Sequence, residues 1–79
     1  MHVKILGPIT KDAEKLLQNT AIALKKLNIK ASFEKVNDFR KAITYGMLAT
    51  PALVIDEQLL TCGNVLNVEE IMQLVRTIL

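Results

Sequence analysis

The side chains in this chain that could do chemistry are few. Its 79 residues include one cysteine, Cys62, and one histidine, His2. A thiol–disulfide cycle needs a second thiol to resolve the mixed disulfide, so one copy of the chain cannot complete such a cycle alone. We therefore expect no dithiol oxidoreductase activity. Two readings of Cys62 stay open: a single-thiol oxidoreductase or redox-sensor residue, and a half-buried structural residue.

The other chemistry-bearing residues predict neither a metal site nor an active site. His2 has no metal-ligand neighbours in the sequence, so we expect no metal and no cofactor. A Ser/His/Asp catalytic set would depend on this one histidine. The acidic pair Asp56-Glu57 is typical of a turn, and the pair Glu69-Glu70 is typical of a helix start.

Composition excludes several classes of partner. The formal charge of +2 and the three aromatic residues do not provide the basic groove and stacking platform of a nucleic-acid-binding protein. No apolar run approaches the roughly 20 residues that a membrane helix needs. The chain starts directly with an alternating segment and has no signal-peptide core, so we expect a cytoplasmic protein. Its length predicts one domain, residues 1–79.

The first half of the chain predicts a strand, a helix and a second strand. Residues 2–6 alternate polar and apolar side chains, and Gly7-Pro8 ends that strand. Thr10 is the expected helix N-cap, and Asn28 is suited to the left-handed position after the last turn. Residues 30–36 predict the second strand. The apolar stripe of the helix comprises Ala13, Leu16, Leu17, Thr20, Ala21, Leu24 and Leu27.

The second half predicts a short helix, two strands and a last helix. Residues 39–45 are expected to form the short helix, which Gly46 ends. Residues 52–55 are expected to form an apolar, fully buried strand. A turn at residues 56–58 leads to a partner strand at residues 59–61. Asn67 and Glu70 have the spacing of a capping box for the last helix. We expect Phe33 and Phe39 in the core.

The element order predicts an α/β fold. Strand, helix, strand, helix, strand, strand and helix follow one another (βαβαββα). A helix links the first two strands, which are therefore expected to be parallel. A tight turn joins the last two, which should be antiparallel. Together these connections predict a four-stranded mixed sheet with helices on both faces.

Residues 50–55 (Thr-Pro-Ala-Leu-Val-Ile), preceded by Tyr45-Gly46, resemble the thioredoxin-like superfamily. The segment is most similar to the small, glutaredoxin-sized "redox-active disulfide protein" group of bacteria and archaea. The Lys4–Gly7 segment and Gly63 also fit, so the resemblance covers nearly the whole chain. It implies a thioredoxin-like fold with a cis peptide bond before Pro51, beside the family's active site. An extended peptide can pair with such a loop as an added strand.

The family's catalytic pair is the main departure from this resemblance. The family carries a Cys-x-x-Cys motif at the start of its first helix, where the helix N-terminus stabilises the nucleophilic thiolate. The two cysteine positions correspond to Thr10 and Ala13 in this chain. The resemblance therefore implies a thioredoxin-like domain with a degenerate active site.

A non-catalytic module that binds a protein or an extended peptide is the leading hypothesis. The alternative is the single-thiol or redox-sensor function of Cys62. A homodimer through a sheet edge is a further possibility, but nothing in the sequence selects the edge. The expected binding surface comprises Pro8, Ile9, Thr10, Thr50, Pro51 and Gly63.

Overall fold

The computed structural model describes residues 1–44 and 49–79, apart from the side chains of residues 39, 41 and 42. The predicted order of helices and strands is confirmed. The expectations for Tyr45, Gly46 and the Phe39 side chain lie outside the described residues. The elements are β1 (His2–Leu6), α1 (Lys11–Lys26), β2 (Ser32–Val36), α2 (Phe39–Thr44), β3 (Ala52–Ile55), β4 (Gln58–Cys62) and α3 (Val68–Ile78).

The four strands form one mixed sheet in the order β2-β1-β3-β4. As predicted, β1 and β2 are parallel and β3 and β4 are antiparallel. The antiparallel pairing of β1 with β3 joins the two halves, so β1 and β3 occupy the centre. Every residue of β3 is buried, as its continuous apolar run predicts. None of the described helices is both long and apolar enough to cross a membrane.

The larger core lies between one face of the sheet and the helices α1 and α3. Val3 and Ile5 of β1 and Leu53 and Ile55 of β3 point to this face. The predicted stripe of α1 is nearly correct. However, Ala23 is buried, whereas Ala21 is only partly buried. The buried apolar residues that the two helices contribute are Ala13, Leu16, Ala23, Leu24, Ile71, Met72 and Val75.

The opposite face of the sheet carries a smaller buried cluster. Leu6, Val36, Ala52 and Val54 form it, and Leu59 and Cys62 pack against it from β4. Leu6, Ala52 and Val54 are each 0% exposed. The central strands β1 and β3 therefore contribute buried side chains to both faces of the sheet.

Local capping chemistry sets the helix ends as the sequence predicts. The Thr10 hydroxyl accepts a hydrogen bond from the Ala13 N–H at 3.1 Å, and Asn28 adopts a positive φ of 60° after α1. Asn67 and Glu70 form the complete capping box of α3, each side chain bonding the other residue's backbone N–H. These side chains bond N–H groups that have no partner within their helices.

Phe33 contradicts its predicted place in the core, because its side chain is 41% exposed. It lies on β2, the outermost strand on one side of the sheet, where residues 32–35 are all exposed. The sequence correctly predicts a strand here, but the strand begins at Ser32 rather than at residue 30, and its burial does not alternate. An edge position leaves a side chain covered from fewer directions than a central one.

The β3–β4 turn is a two-residue hairpin turn rather than the predicted three-residue one, and it is tied to β1. Asp56 and Glu57 have positive φ values of 48° and 67°, as in a type I′ turn. The Asp56 carboxylate accepts a hydrogen bond from the His2 N–H at 2.7 Å, and the Asp56 N–H donates to the His2 carbonyl at 2.8 Å. The turn therefore extends the β1–β3 ladder.

We expect Asp56→Ala to lower the free energy of unfolding by about 1–2 kcal/mol, because alanine loses the side-chain bond to His2 and tolerates a positive φ poorly. Asp56→Asn is the matched control, since asparagine keeps an acceptor oxygen and favours the left-handed region. Urea denaturation of both variants measures the difference. Equal losses in the two variants would contradict the proposed role of the carboxylate bond.

Candidate functional site

Most of the predicted site residues come together at one end of the sheet. Leu6, Ala52 and Cys62 are neighbours across β1, β3 and β4. The segments that continue beyond these three residues therefore meet at the same end. They are the turn after β1, the Thr50-Pro51 segment before β3 and Gly63 after β4.

The first turn lies directly against Thr50. Gly7 has a φ of +122°, and its N–H donates to the Val36 carbonyl at 2.9 Å. A Cβ atom at Gly7 would lie 2.8 Å from both Cβ and Cγ2 of Thr50. Only glycine accommodates this backbone conformation and this close approach together. The sequence marks Gly7-Pro8 as a break, but it does not reveal the contact with Thr50.

Gly63 holds the other side of the Thr50-Pro51 loop. Its N–H donates to the Pro51 carbonyl at 2.9 Å, and a Cβ atom on it would lie 2.9 Å from Cβ of Ala49. The peptide bond between Thr50 and Pro51 is cis, and Pro51 is buried while Thr50 is exposed. The loop is therefore fixed between the two glycines, with Thr50 on its outer surface.

The start of α1 completes this end of the sheet. Thr10 is extended, with φ −130° and ψ 170°, and its carbonyl accepts the first helical bond, from the Glu14 N–H at 3.0 Å. Its hydroxyl bonds the Ala13 N–H, so the two residues that the resemblance equates with the family's cysteines bond each other. The Thr10 hydroxyl thus occupies a helix N–H that could otherwise donate a hydrogen bond to a cysteine thiolate.

An exposed apolar side chain and an ion pair flank the turn. Ile9 is 72% exposed, the second highest value among the exposed large apolar residues described. Lys35 Nζ donates to Glu14 Oε2 at 2.5 Å, and both side chains are about half exposed. Sequence reasoning missed this pair, because it joins the second strand to the first helix and depends on their packing. A shallow cleft here is lined by Ile5, Gly7, Pro8, Ile9, Ala13, Glu14 and Lys35.

Cys62 lies close to this site, but its side chain packs against a different set of residues. It is partly buried at the end of β4, opposite Ala52, which directly follows Pro51. It packs against the smaller buried cluster rather than against α1. Over residues 1–44 and 49–79, no three His, Cys, Asp or Glu residues are grouped so that they could hold a metal ion.

Two comparisons with known proteins bear on this arrangement. A family model described as "Thioredoxin domain" matches residues 1–76. The chain belongs to the thioredoxin domain family. It is also 34% identical, over 71 residues, to a protein named thioredoxin from the archaeon Methanothermobacter thermautotrophicus. That alignment covers 90% of this chain and 92% of the relative, so the similarity extends over nearly the whole length of both proteins.

Membership of the thioredoxin domain family confirms the resemblance inferred from residues 50–55. The mixed four-stranded sheet is consistent with that fold. The 79 residues of this member include a single cysteine, and neither Thr10 nor Ala13 at the start of α1 is a cysteine. The binding role of Pro8, Ile9, Thr10, Thr50, Pro51 and Gly63 stays a prediction.

We expect Gly7→Ala to lower the free energy of unfolding by at least about 2 kcal/mol, because the new methyl group meets Thr50 in a backbone conformation that alanine disfavours. Lys11→Ala, at an exposed position four residues further on, is the control and should change stability by less than about 0.5 kcal/mol. Chemical denaturation compares the two variants. A Gly7→Ala protein as stable as the Lys11→Ala control would show that Thr50 moves away at little cost.

Proposed function

We propose that this chain is a non-catalytic member of the thioredoxin domain family that binds an extended peptide segment of a partner protein. The observation that carries the proposal is the hydrogen bond between the Thr10 hydroxyl and the Ala13 N–H. These residues occupy the positions of the family's cysteine pair. In this chain they make a helix cap and provide no thiol. The degenerate site keeps the scaffold and lacks the redox pair.

The surface around Thr50 supports a binding role. Ile9 and Thr50 are exposed, while Pro51 is buried and its carbonyl is held by Gly63. An exposed isoleucine beside a rigid loop offers an apolar contact for a peptide side chain. A fixed loop also loses little conformational freedom when it binds. This combination suits recognition of an extended segment that runs past Thr50 and the turn after β1.

A single-thiol function of Cys62 is the second candidate. The position of Cys62 in the sheet favours this function. Cys62 on β4 pairs with Ala52 on the neighbouring strand β3, so the thiol is near the proline loop. Its partial burial against Leu6, Val36 and Val54 favours a packing role instead. A redox assay separates the two candidates.

In an insulin-reduction assay, we expect the wild-type chain to be no faster than dithiothreitol alone. The double variant Thr10→Cys/Ala13→Cys should accelerate the reaction, because it places thiols at a helix N-terminus that stabilises a thiolate. Cys62→Ser is the matched control and should behave like wild type. Wild-type activity that Cys62→Ser abolishes would replace the binding proposal with the single-thiol function.

Peptide binding can be tested with linear peptides selected by phage display on the wild-type domain. We expect Ile9→Ala to weaken their binding about tenfold, as removal of a central apolar contact does. Ile22→Ala removes an equivalent side chain from α1, where Ile22 is 46% exposed, and should leave affinity within about twofold. Fluorescence anisotropy gives both affinities. Equal effects at the two positions would contradict a binding site beside Thr50.

A further inference from the structure

The two edges of the sheet differ in regularity. In the β3–β4 ladder, Leu53 pairs with Thr61 and Val54 pairs with Leu59, so Leu60 is an extra residue in β4. Such a bulge interrupts the row of backbone groups that an edge strand presents. The β2 edge pairs with β1 without a break over Ser32–Val36. It is therefore the edge better suited to accept an added strand.

The backbone of β2 presents hydrogen-bonding groups outward at two residues. The Ser32 N–H donates to the Met1 carbonyl at 3.0 Å, and the Val36 carbonyl accepts from Gly7 at 2.9 Å. In a parallel pair, alternate residues direct both backbone groups to the same neighbour. Ser32, Glu34 and Val36 thus bond to β1, while Phe33 and Lys35 direct their N–H and C=O groups away from the sheet.

A cleft of about 450 Å³ adjoins the N-terminal end of this edge, between α1 and β2. The half-exposed Phe33 ring forms part of its apolar lining, and Lys25 and Lys30 supply positive charge. Its size is sufficient for a large apolar side chain. The lining residues are Ala21, Leu24, Lys25, Asn28, Ile29, Lys30, Ala31 and Phe33.

Charge selects the occupant of this edge. The described residues that line the cleft include two lysines and no acidic residue. A second copy of this chain would bring a β2 strand with one acid, Glu34, and one base, Lys35, to the edge. It therefore offers no net negative complement. An acidic segment of another protein provides that negative charge, and the attraction between opposite charges favours its approach and fixes its register.

We propose that the β2 edge binds an extended acidic segment of a partner protein as an added β-strand. Backbone groups of the segment bond to Phe33 and Lys35. One of its apolar side chains enters the cleft beside Phe33, and its carboxylates lie near Lys25 and Lys30. The cleft is at the opposite end of α1 from Thr10, and the β2 edge runs from the cleft towards Lys35, beside the turn after β1. The inference rests on the outward backbone groups and the cleft, so it does not depend on the proposed function of the Thr50 surface.

The test uses a fluorescein-labelled peptide, Thr-Asp-Thr-Phe-Thr-Glu-Thr, with blocked termini. In an extended strand its two acids and its phenylalanine lie on the same face. We expect binding that weakens as salt rises, with chemical-shift changes and slowed hydrogen exchange at the amides of Phe33 and Lys35. A peptide with lysine in place of each acid should not bind. A peptide N-methylated at alternate residues, along the edge that would face β2, should also fail, because it cannot form the strand's hydrogen bonds.

Two variants of the chain test the backbone and the charges separately. Phe33→Pro removes the ring and an outward N–H at an edge position where proline is tolerated, and it should abolish binding. Phe33→Ala removes only the ring and should weaken binding less, so the difference between the two variants reports the backbone bond. Lys25→Gln/Lys30→Gln should weaken binding about threefold to tenfold at low salt. Lys11→Gln/Lys15→Gln removes the same two charges from exposed positions on α1, about 15 Å or more from Lys25 along the helix. This charge-matched control should leave affinity unchanged. If Phe33→Pro does not fold, the N-methylated peptide decides the backbone question.

Three results would overturn the proposal. The first is equal affinity for the acidic peptide and its lysine counterpart. The second is a set of shift changes confined to the Gly7–Thr10 turn and Thr50, which would place the peptide at the other surface. The third is a dimer in sedimentation experiments without peptide that Phe33→Pro dissociates and Lys25→Gln/Lys30→Gln does not. That outcome would make a second copy of the chain the occupant of the edge.

Discussion

The close approach of Gly7 and Thr50 is the contact on which the rest of this site depends. It joins the end of β1 to the segment before β3, with no room for a side chain on the glycine. Because Gly7 also bonds Val36, the same residue ties the turn to β2. Gly63 provides a matching contact from β4 through Pro51 and Ala49. Segments distant in the sequence thereby become one rigid surface at the start of α1.

In this chain the structural requirements of the fold are met without thiol groups. The scaffold needs a capped helix, a buried strand and a tightly held loop, and Thr10, the residues of β3 and the two glycines meet those needs. None of these requirements involves a thiol. A threonine is a better helix cap than a neutral cysteine, since its hydroxyl oxygen is a stronger hydrogen-bond acceptor than sulfur. Threonine at position 10 therefore brings no structural penalty at the helix start.

Features set by neighbouring residues could be predicted from the sequence. The Thr10 cap and the Asn67–Glu70 capping box depend on residues three apart, and the buried β3 strand on a continuous apolar run. Features set by packing could not. The exposure of Phe33 follows from the place of β2 at the sheet edge, and the Glu14–Lys35 pair from the tertiary arrangement that brings α1 and β2 within reach of each other. The contact between Gly7 and Thr50 spans 43 positions in the sequence, so no local pattern reveals it.

The length of α1 sets the spacing between the two ends of this domain. Its 16 residues extend about 24 Å, from the capped start near Thr50 to the lysines beside β2. A side chain held in the cleft beside Phe33 and a segment held beside Thr50 would therefore not collide. One partner chain carrying both would need about seven extended residues to cover this distance, and the β2 edge would bind part of that stretch. A linker of matching length would raise the effective concentration of the second segment into the millimolar range, so two weak contacts would act as one strong attachment.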